Sequence, residues 1–353
     1  MWLIRAWLDR KIQADERLQE VLFSCAVCNN CVEHCIFPKF KDQILKAFIA
    51  AKEEMVNQGR LPPPVRDYLT KLFEHGNPYK IPRKKRGEWA KKFGIKEYSG
   101  QKYLFYVGDV GSFDTRGSQI ARSVAGLFEK LGVSFGILGS REGSDGNEAR
   151  ALGEGELFKH LASRNIELFN QSGVEKIVTL SPHGYNTLKN DYPELGGRFQ
   201  VFHYTHIIAS LLPAAGLSDH PASAPSRKVT FHDPCYLGRH NKDYETARKI
   251  LELLPGTESV EMRRFGEDAL CCGGGGGNFF TDLVCSGAET SAGIRVREAA
   301  ETGADILVTA CPVCTIILED AVKSQNLEDR IRVMELSELI SEQFRLLAQG
   351  GTP

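Results

Sequence analysis

The sequence has neither an excess of charge of one sign nor a long apolar run. Its 44 lysines and arginines nearly balance its 45 aspartates and glutamates, for a formal net charge of −1. No overall positive field is therefore present to hold nucleic acid, and we expect no nucleic-acid partner. The apolar start Met1–Leu8 contains Arg5 and is too short for a secretion signal or a membrane span. We therefore expect a cytoplasmic chain without a transmembrane segment.

The cysteines are concentrated in two short parts of the chain. Of the 10 cysteines, four lie within Cys25–Cys35 and the other six within Cys235–Cys314, where five form a motif and only Cys285 stands apart from it. Disulfides are unexpected in a long chain without a secretion signal, because the cytosol keeps thiols reduced. The grouping therefore favours metal ligation, and Cys285 is expected to be a buried inert thiol.

The first group has the spacing of an iron–sulfur ligand set. Two residues lie between Cys25 and Cys28 and two between Cys28 and Cys31, and three residues lie between Cys31 and Cys35. A loop of this kind wraps thiolates around a [4Fe–4S] cubane cluster, whereas zinc sites use two pairs that are further apart. The fourth cysteine of such a run usually precedes proline, but Cys35 precedes Ile36. Either Cys35 closes the same cluster, or the fourth ligand comes from elsewhere.

The second group is more widely spaced. Its members follow strands or precede helices in the pattern of the sequence: Cys235, Cys271, Cys272, Cys311 and Cys314. Ligands gather at the carboxyl ends of parallel strands, so these thiols are able to converge. The run Gly273–Gly277 gives the backbone freedom to aim adjacent thiolates at one centre, and it lacks the features of a nucleotide loop. Five thiolates exceed the four that a cubane uses, so one bridges, stays free or belongs to an unusual cluster.

The pattern from residue 101 onward predicts an α/β fold that is repeated once. Short apolar runs alternate with helical stretches, first at Tyr103–Val107, Val133–Leu138 and Lys176–Leu180, then at Val229–Phe231, Ser259–Met262 and Ile306–Thr309. Strands joined by helices form parallel sheets. We predict four parts: a small helical ferredoxin-like cluster domain at 1–60, a basic linker at 61–100, and two pseudo-equivalent α/β domains at 101–225 and 226–345.

The second half resembles a known family. The stretch from His232 to His240, with Cys271-Cys272 and the glycines that follow, is similar to the CCG domain of the heterodisulfide reductase family. Residues 20–345 resemble its fused form, in which a ferredoxin-like segment precedes two CCG domains. The resemblance implies that the five cysteines of the second group bind a noncubane [4Fe–4S] cluster.

The first α/β half departs from that family at each ligand position. The equivalent positions are Asp109, Ser144, Asp145, Ser181 and Gly184. Oxygen ligands do not suit a cluster that selects soft thiolates, so we expect no cluster in this half. Buried carboxylates here would need partners, either across a collapsed pocket or on another subunit.

We interpret the chain as an oxidoreductase subunit that relays electrons from the cubane to the noncubane cluster inside a larger complex. No flavin or nicotinamide fingerprint is present, so we expect a hetero-oligomer with a flavoprotein or iron–sulfur partner. One alternative is a catalytic disulfide reductase subunit, and another is a zinc-stabilised scaffold. Five histidines are expected to be mostly structural, although two of them flank Cys235 and are placed to donate hydrogen bonds to its cluster: His183, His203, His206, His232 and His240.

Overall fold

A computed structural model describes residues 1–216, 227–283 and 288–348 of the chain. Cys285 and the predicted boundary between residues 225 and 226 lie outside these ranges. The predicted fold class is confirmed: a small helical part precedes two α/β halves, each with a parallel sheet. The helical part comprises α1 (Trp2–Leu8), α2 (Glu16–Phe23), α3 (Asn30–Glu33), α4 (Lys41–Asn57), α5 (Pro63–His75) and α6 (Glu88–Lys91).

The helical part begins with capped, amphipathic segments. The Asp15 carboxylate accepts a hydrogen bond from the Leu18 backbone N–H at 2.9 Å and so fixes the start of α2. Proline is tolerated in the first turn of a helix, so the proline run after α4 also starts α5. Residues 63–75, within the predicted linker, are therefore helical. Apolar side chains of α2, α4 and α5 pack with those of the first α/β half in one core.

The first α/β half contains a four-stranded sheet in the order β2-β1-β3-β4. Its strands are β1 (Tyr103–Tyr106), β2 (Phe135–Gly136), β3 (Lys176–Thr179) and β4 (Gln200–His203). Its helices are α7 (Gly108–Phe113), α8 (Thr115–Lys130), α9 (Asn147–Ala151), α10 (Gly155–Gln171), α11 (Pro182–Asn186) and α12 (Tyr204–Leu211). Every strand pair is parallel.

The second half repeats this arrangement in the order β6-β5-β7-β8. Its strands are β5 (Arg227–Phe231), β6 (Thr257–Ser259), β7 (Ile306–Thr309) and β8 (Arg332–Glu335), again all parallel. Its helices are α13 (Gly238–Asn241), α14 (Thr246–Glu252), α15 (Asn278–Thr281), α16 (Ser291–Glu301), α17 (Pro312–Ser324) and α18 (Leu336–Ala348).

The sheet register makes the two halves equivalent residue by residue. Phe105 on β1 pairs with Val178 on β3, and Phe231 on β5 pairs with Val308 on β7. Asp109 lies four residues after Phe105, and Cys235 likewise lies four residues after Phe231. The fourth strand of each sheet, β4 and β8, was not predicted. Both are four-residue edge strands with partly exposed side chains, so they carry no clear apolar run.

The two halves pack against each other through a shared core and through ion pairs. Apolar residues of β1, α8 and α12 join residues of β5, β7 and α18 in one cluster. At its edge, the Arg116 guanidinium donates to Glu319 at 2.8 Å and to both Glu338 oxygens. No helix of the described ranges is long and apolar enough to cross a bilayer.

Candidate functional site

The five cysteines of the second predicted group lie together in the second half. Cys235 follows β5, Cys311 follows β7 and precedes α17, and the adjacent pair Cys271 and Cys272 occupies the loop before α15. Because β5 and β7 are neighbouring parallel strands, their carboxyl ends deliver these side chains to one edge of the sheet. All five are buried, and each is a free thiol.

Their side chains pack in one buried cluster, and we call these five cysteines the sulfur chain. The Sγ atoms of Cys235 and Cys271 are 3.9 Å apart, and those of Cys272 and Cys314 are 3.3 Å apart. Cys311 belongs to the same cluster of buried side chains. The structure thus gathers all five predicted ligands of the second group at one place.

Cys28 of the first group extends this chain. It packs against the buried cluster that contains the cysteines of the second group, and its interaction with the Cys271 side chain, together with burial, raises the pKa of Cys28. The two cysteine groups are 200 or more residues apart in sequence, yet Cys28 lies against the second group. Any centres held by the two groups would be neighbours.

The loop of the first group winds tightly around its cysteines. Val27 and Asn29 have left-handed backbone angles, with φ of 52° and 63°, which turn the chain between Cys25 and α3. Burial raises the pKa of Cys31, and the charges of Cys25 and Cys28 add to this effect. The Cys35 sulfur instead accepts a hydrogen bond from the Phe37 N–H at 3.4 Å.

The glycine run packs directly on this loop. A Cβ atom at Gly275 or Gly276 would collide with the backbone oxygens of Ala26 or Cys25, so neither position accepts a side chain without movement. Gly273 has φ of 91°, and its N–H donates to the Cys271 sulfur at 3.2 Å. The glycines therefore bring two loops into contact and aim a backbone N–H at a thiol sulfur.

Buried polar side chains hold the first loop in place. The Lys52 ammonium donates to the Cys25 carbonyl oxygen at 3.2 Å, and burial lowers the Lys52 pKa to about 8. The Arg239 guanidinium donates to the Cys28 oxygen at 2.8 Å, and His240 donates to the Val27 oxygen at 2.9 Å. Among the described hydrogen bonds, the partner of the His240 ring is the Val27 oxygen and not the sulfur expected, so His240 positions the loop.

Two other histidines lie at the sulfur chain. His232 was expected to donate to it, and one of its ring nitrogens lies within 4.8 Å of the Cys272 and Cys314 sulfurs. Burial and the nearby Arg295 lower its pKa to about 3, so the ring is neutral. Its Nδ1 accepts from Arg295 at 3.2 Å, which leaves the proton on Nε2, an atom without a protein partner in the described part of the chain.

His183 was not predicted at this site, because it belongs to the first half. Its Nδ1 lies 2.8 Å from a Glu148 oxygen, and its ring hydrogen-bonds the Cys311 side chain. Burial opposes protonation, but the bonds to Cys311 and Glu148 outweigh it and raise the His183 pKa. Glu148 also accepts a bond from the Gly277 N–H. The sequence did contain a signal for this role, because His183 lies between Ser181 and Gly184, the positions equivalent to Cys311 and Cys314.

Hydrogen bonds favour thiolates at two positions of the second group. Bonds from Cys271 and Cys314 lower the pKa of Cys272 well below its usual value. At Cys311 burial opposes ionisation, but hydrogen bonds from Cys314 and His183 outweigh it and lower the pKa to about 5. The site therefore favours thiolates at Cys272 and Cys311, whereas hydrogen bonding and burial raise the pKa values of Cys235 and Cys314.

The equivalent positions of the first half are closed by an ion-pair cluster. The buried Arg86 guanidinium bonds Asp109 and, at 3.1 Å, Glu142. Asp145 accepts from the Asn147 N–H at 2.8 Å, and burial raises its pKa to about 7. A cavity of about 50 Å³ lies among these positions, lined by Asp109, Asp145, Ser144, Ser181 and Gly108 among others.

His203 and His206 belong to the packing of the first half. His203 is buried and neutral, since burial lowers its pKa to about 3, and it contacts Thr205 at 2.8 Å. His206 pairs with Asp243 at 2.8 Å and so joins the two halves.

The chain is similar to a known cysteine-rich domain and to known oxidoreductases. Residues 110–189 and 229–319 each match the cysteine-rich CCG domain. The chain is 35% identical to the probable iron–sulfur-binding oxidoreductase FadF of Bacillus subtilis, over 92% of this chain and 46% of that protein. It is 34% identical to the EtfAB:quinone oxidoreductase of Syntrophomonas wolfei, over 94% and 48%.

A third relative is matched over most of its length. It is a subunit of the dihydromethanophenazine:CoB–CoM heterodisulfide reductase of Methanosarcina barkeri, and it is 28% identical, over 94% of this chain and 80% of the relative. The chain spans about half the length of the first two relatives.

Proposed function

Because the chain belongs to the family of iron–sulfur proteins with two cysteine-rich CCG domains, we propose that it relays electrons between two iron–sulfur clusters. One would be a cubane [4Fe–4S] cluster at Cys25, Cys28, Cys31 and Cys35, and the other a noncubane [4Fe–4S] cluster at Cys235, Cys271, Cys272, Cys311 and Cys314. The observation that carries this proposal is the packing of Cys28 and its loop against the second group and the glycine run, which brings the two groups together.

The donor set of the second group fits an iron–sulfur cluster. All of its side chains are soft sulfur ligands, which iron–sulfur clusters select. They are buried and free of disulfides, and two of them have lowered pKa values. The unpartnered Nε2 of His232 and the Gly273 N–H are donors of the kind that cluster sulfurs accept.

In this proposal the clusters supply one-electron oxidation and reduction, and the chain controls their environment. The glycine run brings the two cysteine groups together. Lys52, Arg239 and His240 fix the first loop by its carbonyl oxygens, so its sulfurs keep their positions as the charge changes. Burial of the second group keeps water away, which strengthens each hydrogen bond to sulfur.

The first half would hold no cluster. Arg86 fills the space beside Asp109 and Glu142, and the remaining cavity of about 50 Å³ has no sulfur lining it in the described ranges. This half would serve instead as a polar wall for the second group, through His183 and Glu148.

The wider setting is part of the same proposal. We propose a cytoplasmic subunit of a hetero-oligomer, with a flavoprotein or another iron–sulfur protein as partner. The named activities of the relatives are oxidoreductase activities, which supports this setting. The isolated chain should be inert towards NAD(P)H. Direct reduction by a nicotinamide cofactor without a flavin would contradict the need for a partner.

A catalytic disulfide reductase subunit is the second candidate, and one cavity favours it. A cleft of about 320 Å³ reaches Cys272 beside Gly273, Ser291 and Ile317, so a small substrate is able to approach the second group. This hypothesis requires a thiol or disulfide compound to change the spectrum of the second cluster alone, whereas the relay hypothesis requires no such change.

The test is a comparison of cysteine variants by electron paramagnetic resonance under anaerobic conditions. Cys272→Ala should remove the signal of the second cluster and leave that of the first, because the two ligand sets share no residue. The matched control is Cys285→Ala, which changes the one cysteine outside both sets. Wild-type protein should contain about eight irons. Loss of both signals in folded Cys272→Ala would refute two separate sites, and colourless protein with zinc would establish the scaffold hypothesis.

A further inference from the structure

Three large apolar side chains stand exposed directly after the last cysteine of the first group. Ile36 is 82% exposed, Phe37 62% and Phe40 65%. Contiguous exposed apolar side chains of this size mark interaction sites on soluble proteins. We call these three residues, with Lys39 and Lys41 between and beside them, the docking face.

The docking face lies at the cysteine group that is nearest the surface. Cys31 is exposed and Cys35 is half-buried, with its sulfur bonded to the Phe37 N–H, whereas the five cysteines of the second group are all buried. A cluster held by the first group would therefore have its edge at this face. Another protein would reach that cluster here before it reached the second one.

The docking face carries positive charge that is not neutralised locally. Lys39, Lys41 and Lys46 are exposed, and none of them forms an ion pair with a described residue; Asp42 is the one carboxylate within this segment. On the neighbouring α3, Glu33 is already paired with Lys242. Positive charge around an apolar centre attracts a partner with the reverse pattern.

We propose that the docking face receives a small one-electron carrier protein whose contact surface has an apolar centre and a carboxylate-rich rim. This proposal rests on the proposed function, because it needs a cluster at the first group. Two phenylalanines and an isoleucine within one short segment fit a small interface, which is typical of transient redox complexes. The lysines would steer the encounter and the apolar side chains would exclude water from the contact.

The experiment measures the rate at which an acidic flavodoxin, in its fully reduced form, reduces the first cluster. Lys39→Glu/Lys41→Glu should lower the second-order rate constant at least tenfold at low ionic strength, and high salt should remove most of the difference. Phe37→Ser/Phe40→Ser should lower the rate at both salt concentrations. Matched controls are Lys84→Glu/Lys85→Glu and Phe73→Ser, which change exposed residues of the same types outside the face.

Reduction by dithionite should be the same in every variant, since this reagent needs no docking face. The proposal is overturned if the docking-face variants keep the wild-type rate, or if the control variants slow the reaction equally. It is also overturned if Phe37→Ser/Phe40→Ser dissolves a dimer of this chain or abolishes binding to anionic phospholipid vesicles, since the face would then serve those contacts. A first group without any dithionite-reducible cluster would instead overturn the proposed function, and the docking proposal with it.

Discussion

Replacing Arg86 by methionine tests whether the ion-pair cluster holds the first half closed. Arg86 is fully buried, bonds both Asp109 and Glu142, and lies over the Phe113 ring at 4.9 Å. Methionine keeps most of the apolar volume but removes the cation. The carboxylates of Asp109 and Glu142 therefore face each other without a positive charge between them. Glu142 keeps bonds from the Val107 and Gly108 N–H groups, at 3.1 and 2.9 Å. Asp109 loses its ion pair.

The expected loss is about 3–5 kcal/mol, the usual cost of breaking a buried ion pair by removing one member. Urea unfolding followed by circular dichroism should show it as a midpoint lowered by about 1 M or more, for an m value of about 3 kcal/mol per M. Adding Asp109→Asn to Arg86→Met should recover part of the loss, because one uncompensated charge is removed. The defect of Arg86→Met should also shrink at low pH, where the freed carboxylates are protonated.

Iron content separates this effect from the clusters. Neither Arg86 nor Asp109 contacts a cysteine in the described hydrogen bonds and ion pairs, so Arg86→Met should keep about eight irons per chain. A loss below about 1 kcal/mol would refute the view that Arg86 stabilises the closed first half. An iron content near twelve in either protein would show that the first half binds a cluster through ligands other than cysteine.

Two further substitutions test the polar wall of the first half. His183→Gln should lower the midpoint potential of the second cluster by roughly 40–90 mV, because one charge-assisted hydrogen bond of about 1–2 kcal/mol to Cys311 is lost. The control is His160→Gln, which changes an exposed histidine. An unchanged potential in His183→Gln, or an equal shift in the control, would contradict the role of His183 as a donor to Cys311. Asp145→Asn keeps the bond from the Asn147 N–H. The raised Asp145 pKa of about 7 means that native stability falls as pH rises from about 4 to 7. The free energy of unfolding of Asp145→Asn should therefore exceed that of the wild type at pH 8, by on the order of 2 kcal/mol, but not at pH 4. A gain of equal size at both pH values would contradict the raised pKa of Asp145.

The fold was predictable where the pattern of apolar residues was long enough. β7 was predicted at its observed bounds, Ile306–Thr309, because four consecutive buried apolar and β-branched residues mark a central parallel strand. The edge strands β4 and β8 were missed, because half-exposed four-residue strands have no such run. Their positions are set by pairing with β3 and β7, which is a tertiary effect.

The candidate site was predictable in its cysteines but not in the side chains around them. Cysteine spacing is a local signal, and strand order explains how Cys235 and Cys311 meet. His183, Glu148 and Lys52 come from other parts of the fold and meet the loops that carry the cysteines only when the parts of the chain have packed together. Arg86 was likewise treated as part of a charged linker, yet it is the partner that the carboxylate at Asp109 required.

The first half has no cysteine at the equivalent ligand positions, yet its side chains contribute to the site in the second half. Helix α11, which follows β3, contributes His183 beside Cys311, and Glu148 accepts a hydrogen bond from the backbone N–H of Gly277 in the glycine run. Across the small cavity, Asp109 and Asp145 face Pro312 and Val313, which lie between Cys311 and Cys314. The same edges of the two sheets therefore meet, as expected of two equivalent halves packed around one centre. In the proposed function the first half holds no cluster, but His183 places a charged hydrogen-bond donor beside the second group. A substitution that disrupts the first half should therefore change the potential of the second cluster before it changes the iron content.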